Sequence, residues 1–199
     1  HNNTGDNPLY GCVNVLRSED LQLAAMFANV GVYYLNPPTT QSMAFSAFCP
    51  AITVECGKVG DTKGIAAAID LVEDVMQLES FSHTPPTADE LKIYKTVGRV
   101  VLPPDVSFGF GEQGVDLELR PDLETMNFRA MPAGASWARS AIADVPLTVL
   151  DEHGHDLTDQ FFRREGDAVR LVQEAVPSMI TRNKDIIRQD CLGYLMRSI

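Results

Sequence analysis

One short stretch predicts the fold: Phe48-Cys49-Pro50-Ala51-Ile52-Thr53-Val54-Glu55-Cys56-Gly57-Lys58. The β-branched run Ile52–Val54 favours a buried strand, and Pro50 is tolerated at the strand entry, where a missing N–H does little harm. Gly57 permits the turn that ends the strand. Glu55 therefore lies at the C-terminal end of an apolar strand, and in open α/β sheets that end faces the ligand crevice.

The role of Glu55 stays open at this level. A carboxylate is costly to bury unless it is paired, hydrogen-bonded or close to a metal. The pattern of residues by itself favours a structural ion pair at a strand end over a functional acid.

Composition limits the classes of partner. The chain has 199 residues, of which 45% are hydrophobic and 22% charged, as in an ordinary globular protein. Its formal net charge of −11 argues against nucleic acid and against an anionic membrane surface as partners. No apolar run approaches the ~20 residues that span a bilayer. We therefore expect neither a nucleic acid nor a membrane as the main partner.

The four cysteines predict a cytoplasmic protein. No C-x-x-C pair occurs among Cys12, Cys49, Cys56 and Cys191, so a zinc-ribbon or thioredoxin interpretation has no support. Cys49 and Cys56 lie in or beside the apolar strand and are interpreted as buried thiols. Reduced thiols indicate a reducing compartment.

The pattern of elements changes along the chain. Up to residue 86, short strands alternate with helices, which predicts an α/β sheet domain over residues 1–86. Its clearest helix spans residues 65–78, with apolar residues at helical spacing: Ile65, Ala68, Ile69, Val72, Val75 and Met76. A polar, Pro-containing linker, residues 80–90, follows. Short alternating strands with Pro/Gly corners then predict a β-rich domain over residues 87–199.

Two further motifs are weak. Residues 109–114 spell G-x-G-x-x-G, but a nucleotide fingerprint needs a following helix, and here an alternating strand follows. We interpret these residues as a hairpin or loop. His153 and His155 form an H-x-H within turn-like composition, which favours an exposed hairpin tip over a metal site.

Three segments resemble one family of hydrolases. They are His1-Asn2-Asn3-Thr4, Thr39-Thr40-Gln41-Ser42 and Ile52-Thr53-Val54-Glu55-Cys56-Gly57. Together with the β-rich half, they resemble the succinylglutamate desuccinylase/aspartoacylase family of zinc-carboxypeptidase-like hydrolases. The resemblance implies part of a zinc-carboxypeptidase-like α/β/α sheet domain, followed by a smaller β-rich domain.

The resemblance also implies a reaction and roles for individual residues. His1 would be a zinc ligand, and Glu55 would be the general base that activates the zinc-bound water. Asn2 and Gln41 would contact the substrate, an N-acyl amino acid or a related small amide. Zinc would stabilise the oxyanion that forms when the water attacks the amide carbonyl.

Two departures from the family pattern matter. The sequence contains no H-x-x-E, the motif that supplies the family's other two zinc ligands. We therefore expect this chain to be the C-terminal portion of the family length, to bind zinc weakly and to be inactive alone. Gln41 also stands where aspartoacylase has an arginine, and a neutral amide cannot bind a carboxylate in the bidentate way.

The departures keep a second hypothesis open. On the same scaffold, the chain could be a non-catalytic binding or assembly domain. If native strands are missing from the sheet, an unpaired edge and an exposed apolar surface would favour a homo-oligomer.

Overall fold

The computed structural model describes residues 1–35 and 40–199 and divides the chain into two compact units. The first unit comprises residues 1–3, 8–96 and 198–199, and the second comprises residues 4–7 and 97–197. The domain boundary that composition suggests, after residue 86, stays a prediction.

The first unit is a mixed sheet with helices. Its elements are β1 (Tyr10–Val13), α1 (Ser18–Phe27), β2 (Val30–Tyr33), α2 (Gln41–Ser46), β3 (Ile52–Glu55), α3 (Thr62–Gln77) and the first part of β4 (Lys92–Val101). Strand order is β3-β1-β2-β4. β1 and β2 are parallel, as are β2 and β4, whereas β3 runs antiparallel to β1. The β-branched run of residues 52–54 thus forms the predicted strand.

The two faces of this sheet are covered differently. Val13 and Ala24 are fully buried in a small core beneath α1, with Ile52 packed against it. On the opposite face, the Thr53 hydroxyl of β3 donates a hydrogen bond to the Ser42 hydroxyl of α2 at 2.9 Å. Since alternate residues of a strand point to opposite faces, α1 and α2 lie on different sides of β3.

Helix α3 forms where helical spacing predicts it. The Asp61 side chain accepts a hydrogen bond from the Lys63 N–H at 2.9 Å and caps the first turn. Its apolar side is largely exposed, and Gly64 is its one buried residue. The helix is thus formed but largely unpacked.

The second unit is β-rich, as expected. It holds the rest of β4, β5 (Phe108–Phe110), β6 (Leu117–Leu119), β7 (Ser136–Ser140), β8 (Thr148–Leu150), α4 (Thr158–Phe161), β9 (Phe162–Glu165), β10 (Ala168–Leu171), β11 (Val176–Ser178), α5 (Lys184–Gln189) and most of β12 (Gly193–Ser198), with a 3₁₀ turn at Leu123–Met126. Five strands form one sheet in the order β5-β6-β7-β10-β9. The second part of β4 pairs with β8, and β11 pairs with β12.

Aromatic packing anchors the core of the second unit. Trp137 and Phe162 are almost fully buried, and their rings meet edge to face with centroids 5.1 Å apart. Leu117, Leu119 and Leu171 are fully buried in the same cluster. This cluster is a closed apolar core, in contrast to the thin packing around α3.

Both weak motifs lie in turns. Residues 109–114 include the end of β5 and the loop that leads to β6, and no helix follows. β5 and β6 pair in parallel, so the loop is not a hairpin. At the H-x-H, the Asp151 carboxylate accepts N–H bonds from His153 and His155, both at 2.8 Å. Although desolvation opposes them, these bonds lower the pKa of Asp151 to about 2.

Within residues 1–35 and 40–199, no helix is long and apolar enough to cross a membrane.

A buried amide organises one corner of the second unit. The Asn127 amide nitrogen donates to the carbonyls of Asp6 at 3.1 Å and Ile180 at 2.8 Å. Its oxygen accepts the Ile180 N–H at 3.0 Å. Asn127 therefore satisfies the buried N–H and carbonyl of Ile180, which would otherwise lack a partner, and also binds the carbonyl of exposed Asp6.

Replacing Asn127 by Ala should lower the free energy of unfolding by about 2–4 kcal/mol, because it leaves those backbone groups unpaired. Urea denaturation followed by tryptophan fluorescence reports the change, since Trp137 lies in the core of the same unit. Gln113→Ala, at an exposed loop position, is the matched control and should change stability by no more than about 0.5 kcal/mol. Equal stability of the two variants would contradict the role given to Asn127.

Candidate functional site

The first three residues extend the sheet beside β3. The His1 amino group donates to the Val54 carbonyl at 2.9 Å, and the Cys56 N–H donates to the His1 carbonyl at 2.8 Å. The Asn3 N–H donates to the Gly57 carbonyl at 2.8 Å, and Asn3 forms a parallel bridge with Lys58. Because of this pairing, His1 lies directly alongside the end of β3.

This pairing brings His1 and Glu55 into contact. His1 Nδ1 lies 3.2 Å from Glu55 Oε2. The imidazole is 69% exposed, whereas the carboxylate side chain is only 10% exposed. The structure therefore joins the two residues that the sequence proposes as metal ligand and general base, 54 positions apart.

Glu55 does not lie at the end of the sheet that the sequence predicts. The crevice rule concerns the carboxyl ends of parallel strands, but β3 is antiparallel to β1, and Glu55 pairs with Tyr10 at the start of β1. Glu55 is thus at the opposite end of the sheet from the carboxyl ends of β1 and β2. The partner imidazole comes from residues 1–3 rather than from a neighbouring parallel strand.

A buried ion pair fixes the entry of β3. Asp20, in the first turn of α1, is fully buried and accepts two hydrogen bonds from the Arg17 guanidinium, at 2.6 and 3.1 Å. Asp20 Oδ1 also accepts the Ala51 N–H at 2.9 Å, and Arg17 donates to the Cys49 carbonyl. This network ties the start of α1 to the chain just before the strand, and so sets the position of Glu55.

Burial also shapes the acidity of Glu55. Desolvation raises the pKa of the Glu55 carboxyl, and the nearby amino terminus of His1 partly offsets the rise. Cys12 and Glu55 lie on the same face of the sheet, because their strand partners are Thr53 and Tyr10. Burial, and then the charge of Glu55, raises the pKa of the Cys12 thiol to about 12. Sequence reasoning missed Cys12 as a neighbour of the carboxylate.

Two glycines shape the chain after Glu55. Gly57 has a φ of +74°, a conformation that favours glycine and turns the chain out of the sheet. Gly64, in the first turn of α3, allows close packing, because a Cβ there would lie 1.8 Å from the Cys56 carbonyl oxygen. Any larger residue at Gly64 would push α3 away from the end of β3.

A cleft of about 480 Å³ opens beside His1. His1, Asn2 and Cys56 line one part of it, and the exposed side of α3 supplies apolar residues and Glu73 to the rest. The cleft is therefore mainly apolar, with the imidazole at its border.

The two predicted substrate-binding residues are placed differently. Asn2 lines the cleft, and its amide nitrogen lies 3.4 Å from the Gly57 carbonyl. Gln41 is exposed at the start of α2, and the bond that links α2 to β3 is made by Ser42. Thr39, in the same resembling segment, lies outside the described residues.

The interpretation of the cysteines needs correction. Cys49 is exposed and Cys56 is partly buried, so neither is the buried thiol that the sequence suggested. Cys49 lies between α2 and β3, before the strand begins at Ile52, and its thiol contacts the Phe45 carbonyl at 3.7 Å while remaining exposed. Cys191 is buried, and Cys12 is partly buried.

The residues present do not by themselves fit a zinc site. Among residues 1–35 and 40–199, no three His, Cys, Asp or Glu side chains are grouped so that they could hold a metal ion. His1 and Glu55 offer one imidazole and one carboxylate, whereas catalytic zinc takes three protein ligands. The Asn3 amide is also buried, and no described residue lies within hydrogen-bond distance of its oxygen or nitrogen.

Comparison with known proteins finds similar folds but no similar sequences. No protein-family model matches the chain, and no curated protein matches it significantly. Murine aminoacylase 3 is 14% identical with a TM-score of 0.55, over 100% of this chain and 61% of that chain. A succinylglutamate desuccinylase from Chromobacterium violaceum is 15% identical with a TM-score of 0.52, over 100% and 53%. A succinylglutamate desuccinylase/aspartoacylase from Rhodobacter sphaeroides is 12% identical with a TM-score of 0.57, over 98% and 55%.

The TM-scores of these three structures show a shared fold, although their sequence identities to this chain are low. The predicted resemblance in fold is confirmed, as is the mixed α/β class with its β-rich second half. The chain spans between 53% and 61% of the length of these three proteins.

Replacing Glu55 by Gln should stabilise the protein at neutral pH. The pKa of the Glu55 carboxyl is raised in the folded state. Between the ordinary carboxyl value of 4.5 and this raised value, the folded protein therefore binds more protons than the unfolded chain. The stability of the parent protein therefore falls as the pH rises through that range. The Gln side chain does not ionise, so the variant does not lose stability in this way.

Chemical denaturation at several pH values measures this effect. The advantage of Glu55→Gln over the parent should be small below the ordinary carboxyl pKa and should grow above it. The control is Glu79→Gln, the same exchange at an exposed position, which should change stability by no more than about 0.5 kcal/mol. An advantage that is constant with pH would refute burial as the cause.

The cysteines should differ in reactivity. Burial raises the pKa of Cys12 and of Cys191 to about 12, so both stay protonated near neutral pH, while the thiolate is the reactive form. Iodoacetamide should label exposed Cys49 first in the native protein, as read by peptide mass spectrometry. In denaturant all four should react alike. Native labelling of Cys12 as fast as Cys49 would contradict the structure.

Proposed function

We propose that this chain is part of a zinc-dependent amidohydrolase, a deacylase that cleaves an N-acyl amino acid or a related small amide. The observation that carries the proposal is the 3.2 Å contact between His1 Nδ1 and the buried Glu55 carboxylate. The fold, which is shared with an aminoacylase and with desuccinylases, supports the same reaction class. Fold alone does not determine function, and the contact at the site is what points to hydrolysis.

Glu55 has the properties of a general base. Its raised pKa brings the carboxyl closer to neutral pH, where an acid–base catalyst is most effective. In the proposed reaction, Glu55 takes a proton from a water molecule whose oxygen bonds to the amide carbonyl carbon. The C–N bond then breaks, and Glu55 returns the proton to the leaving amine.

The remaining metal ligands would come from outside residues 1–199. His1 would supply one ligand, and two more are needed for a catalytic zinc. The coverage of 53% to 61% of the similar proteins leaves room for a further segment. The buried Asn3 amide supports this idea, because unpaired buried polar groups cost about 1–3 kcal/mol each and call for a partner.

Substrate contacts are proposed for Asn2 and Gln41. Asn2 borders the cleft beside His1 and can present its amide to a bound molecule. Gln41 is exposed at the start of α2, and as a neutral group it favours an amide or hydroxyl over a carboxylate. The free thiols of all four cysteines support a cytoplasmic setting.

One observation favours a second candidate function. The described part of the chain holds no three-ligand cluster, and this favours a non-catalytic binding or assembly domain on the same scaffold. The two proposals differ in what the Glu55 carboxylate must do.

Two measurements test the hydrolase. Titration calorimetry of the 199-residue chain with ZnCl₂ should show weak binding that His1→Ala removes. In a longer protein that carries the ligand-bearing segment, Glu55→Gln should lower kcat for hydrolysis of N-acetyl amino acids by about 10²–10⁴-fold. Zinc content of that variant should stay unchanged.

Glu79→Gln in the longer protein serves as the matched control and should retain full activity. If Glu55→Gln also leaves hydrolysis unchanged, or if no hydrolysis is found with zinc fully bound, the binding-domain proposal is favoured. Tight stoichiometric zinc in the 199-residue chain would contradict the need for outside ligands.

A further inference from the structure

The outer edge of β3 is only partly paired. β3 is the last strand in the order of its sheet, and among the described residues only residues 1–3 lie along its outer edge. The Val54 carbonyl and the Cys56 N–H bond to His1, so the even-numbered residues of β3 point their backbone groups outward. No strand in the described part of the chain pairs with the outward N–H of Val54 or the outward carbonyl of Ile52.

The chain meets this open edge where it enters His1. Asn3 forms a parallel bridge with Lys58, so residues 1–3 run in the same direction as β3. Residues that precede His1 would therefore lie alongside the open part of β3, from Val54 back towards Ile52. In a parallel ladder, the residue two positions before His1 donates its N–H to the Ile52 carbonyl and accepts the Val54 N–H. The open groups of β3 are thus in register for a strand that continues backwards from His1.

The apolar side of α3 borders the same edge. It consists of four residues, three or four positions apart, that are 51%, 52%, 58% and 82% exposed: Ile65, Ile69, Val72 and Met76. The first three also line the cleft that His1 and Asn2 border. A contiguous apolar surface of this kind indicates an interaction surface. A chain that leads into His1 passes beside it.

We propose that the segment directly before His1 in the full-length protein forms a strand parallel to β3, and that this strand covers the apolar side of α3. The strand satisfies the open backbone groups of β3, and α3 gains the packing on which a helix of its length depends. Parallel strands are normally covered on both faces, and α3 supplies that cover on one face. The inference rests on the part of the proposed function that adds chain outside residues 1–199, and it does not depend on zinc or hydrolysis.

Side-chain alternation assigns a face to each residue of this strand. The His1 imidazole contacts Glu55, on the face of β3 where Thr53 bonds to α2. Asn2 points to the opposite face and lines the cleft together with α3. The residues one and three positions before His1 therefore point towards α3, and the residue two positions before it points to the side of Glu55. We expect apolar residues at the first and third positions, and charged residues at both would overturn the proposal.

An attached segment is favoured over a separate partner. A segment joined to His1 is held beside β3 by the covalent chain, so its effective concentration there is high. A second copy of this chain would bring a net charge of −11 against an equal charge. The coverage of 53% to 61% of the similar proteins leaves length for such a segment.

Hydrogen exchange tests the pairing with β3. The 199-residue chain is compared with a chain that is extended before His1 along its reading frame. The Val54 N–H should exchange at least about tenfold more slowly in the extended chain, because the added strand accepts it. The Met131 N–H, which donates to the Ala175 carbonyl at 2.9 Å in the second unit, should exchange equally in both chains. Equal exchange of Val54 in the two chains would overturn the proposal.

Cysteine labelling tests the cover over α3. In a Cys49→Ser background, Val72→Cys should react with N-ethylmaleimide at least about tenfold more slowly in the extended chain than in the 199-residue chain. Ile199→Cys, at a similarly exposed position outside α3, should react alike in both. Circular dichroism checks that the variants keep their helices. Unchanged labelling of Val72→Cys overturns the proposal, as does protection in the 199-residue chain that increases with protein concentration, which a second copy would cause.

Both measurements are made without zinc or substrate. An extended chain that shows both protections but no hydrolysis would support this inference and contradict the proposed function. Hydrolysis by an extended chain that shows neither protection would do the reverse.

Discussion

The buried carboxylate of Glu55 is the constraint on which the first unit depends. An acid that loses most of its water needs compensation, and here the compensation comes from the His1 imidazole and amino terminus. Placing His1 there requires residues 1–3 to pair with the end of β3. Holding β3 in turn requires the buried Asp20 carboxylate to accept the Ala51 N–H. One desolvated acid therefore organises the start of the chain, α1 and β3 together.

The two units differ in how far their apolar side chains are covered. The second unit closes a core around Trp137 and uses Asn127 to pair its buried backbone groups. In the first unit, the Asn3 amide is buried without a hydrogen-bond partner among the described residues, and the apolar side of α3 is exposed to solvent. Both open features border the segment that carries His1 and Glu55. The buried Asn3 amide and the exposed apolar side of α3 thus lie close to the candidate chemistry.

Much of the fold could be predicted from residue patterns. The β-branched run predicted β3, the helical spacing predicted α3, and short alternating strands predicted the β-rich second half. These predictions succeeded because each depends on local periodicity. Predictions that depend on pairing or packing did worse. Nothing local indicates that β3 runs antiparallel to β1, that β5 and β6 pair in parallel, or that Cys49 stays exposed.

The sequence by itself determined the residue types at the site, an acid after a β-branched strand and a histidine before a polar loop, and it determined the resemblance in fold. Only the tertiary structure decided that His1 and Glu55 touch, because their contact depends on strand pairing between segments 54 residues apart. It also decided that the apolar side of α3 stays exposed among the described residues, since helical spacing predicts an apolar side but not what lies against it. Pairing and burial are properties of distant segments brought together, and local patterns do not encode them.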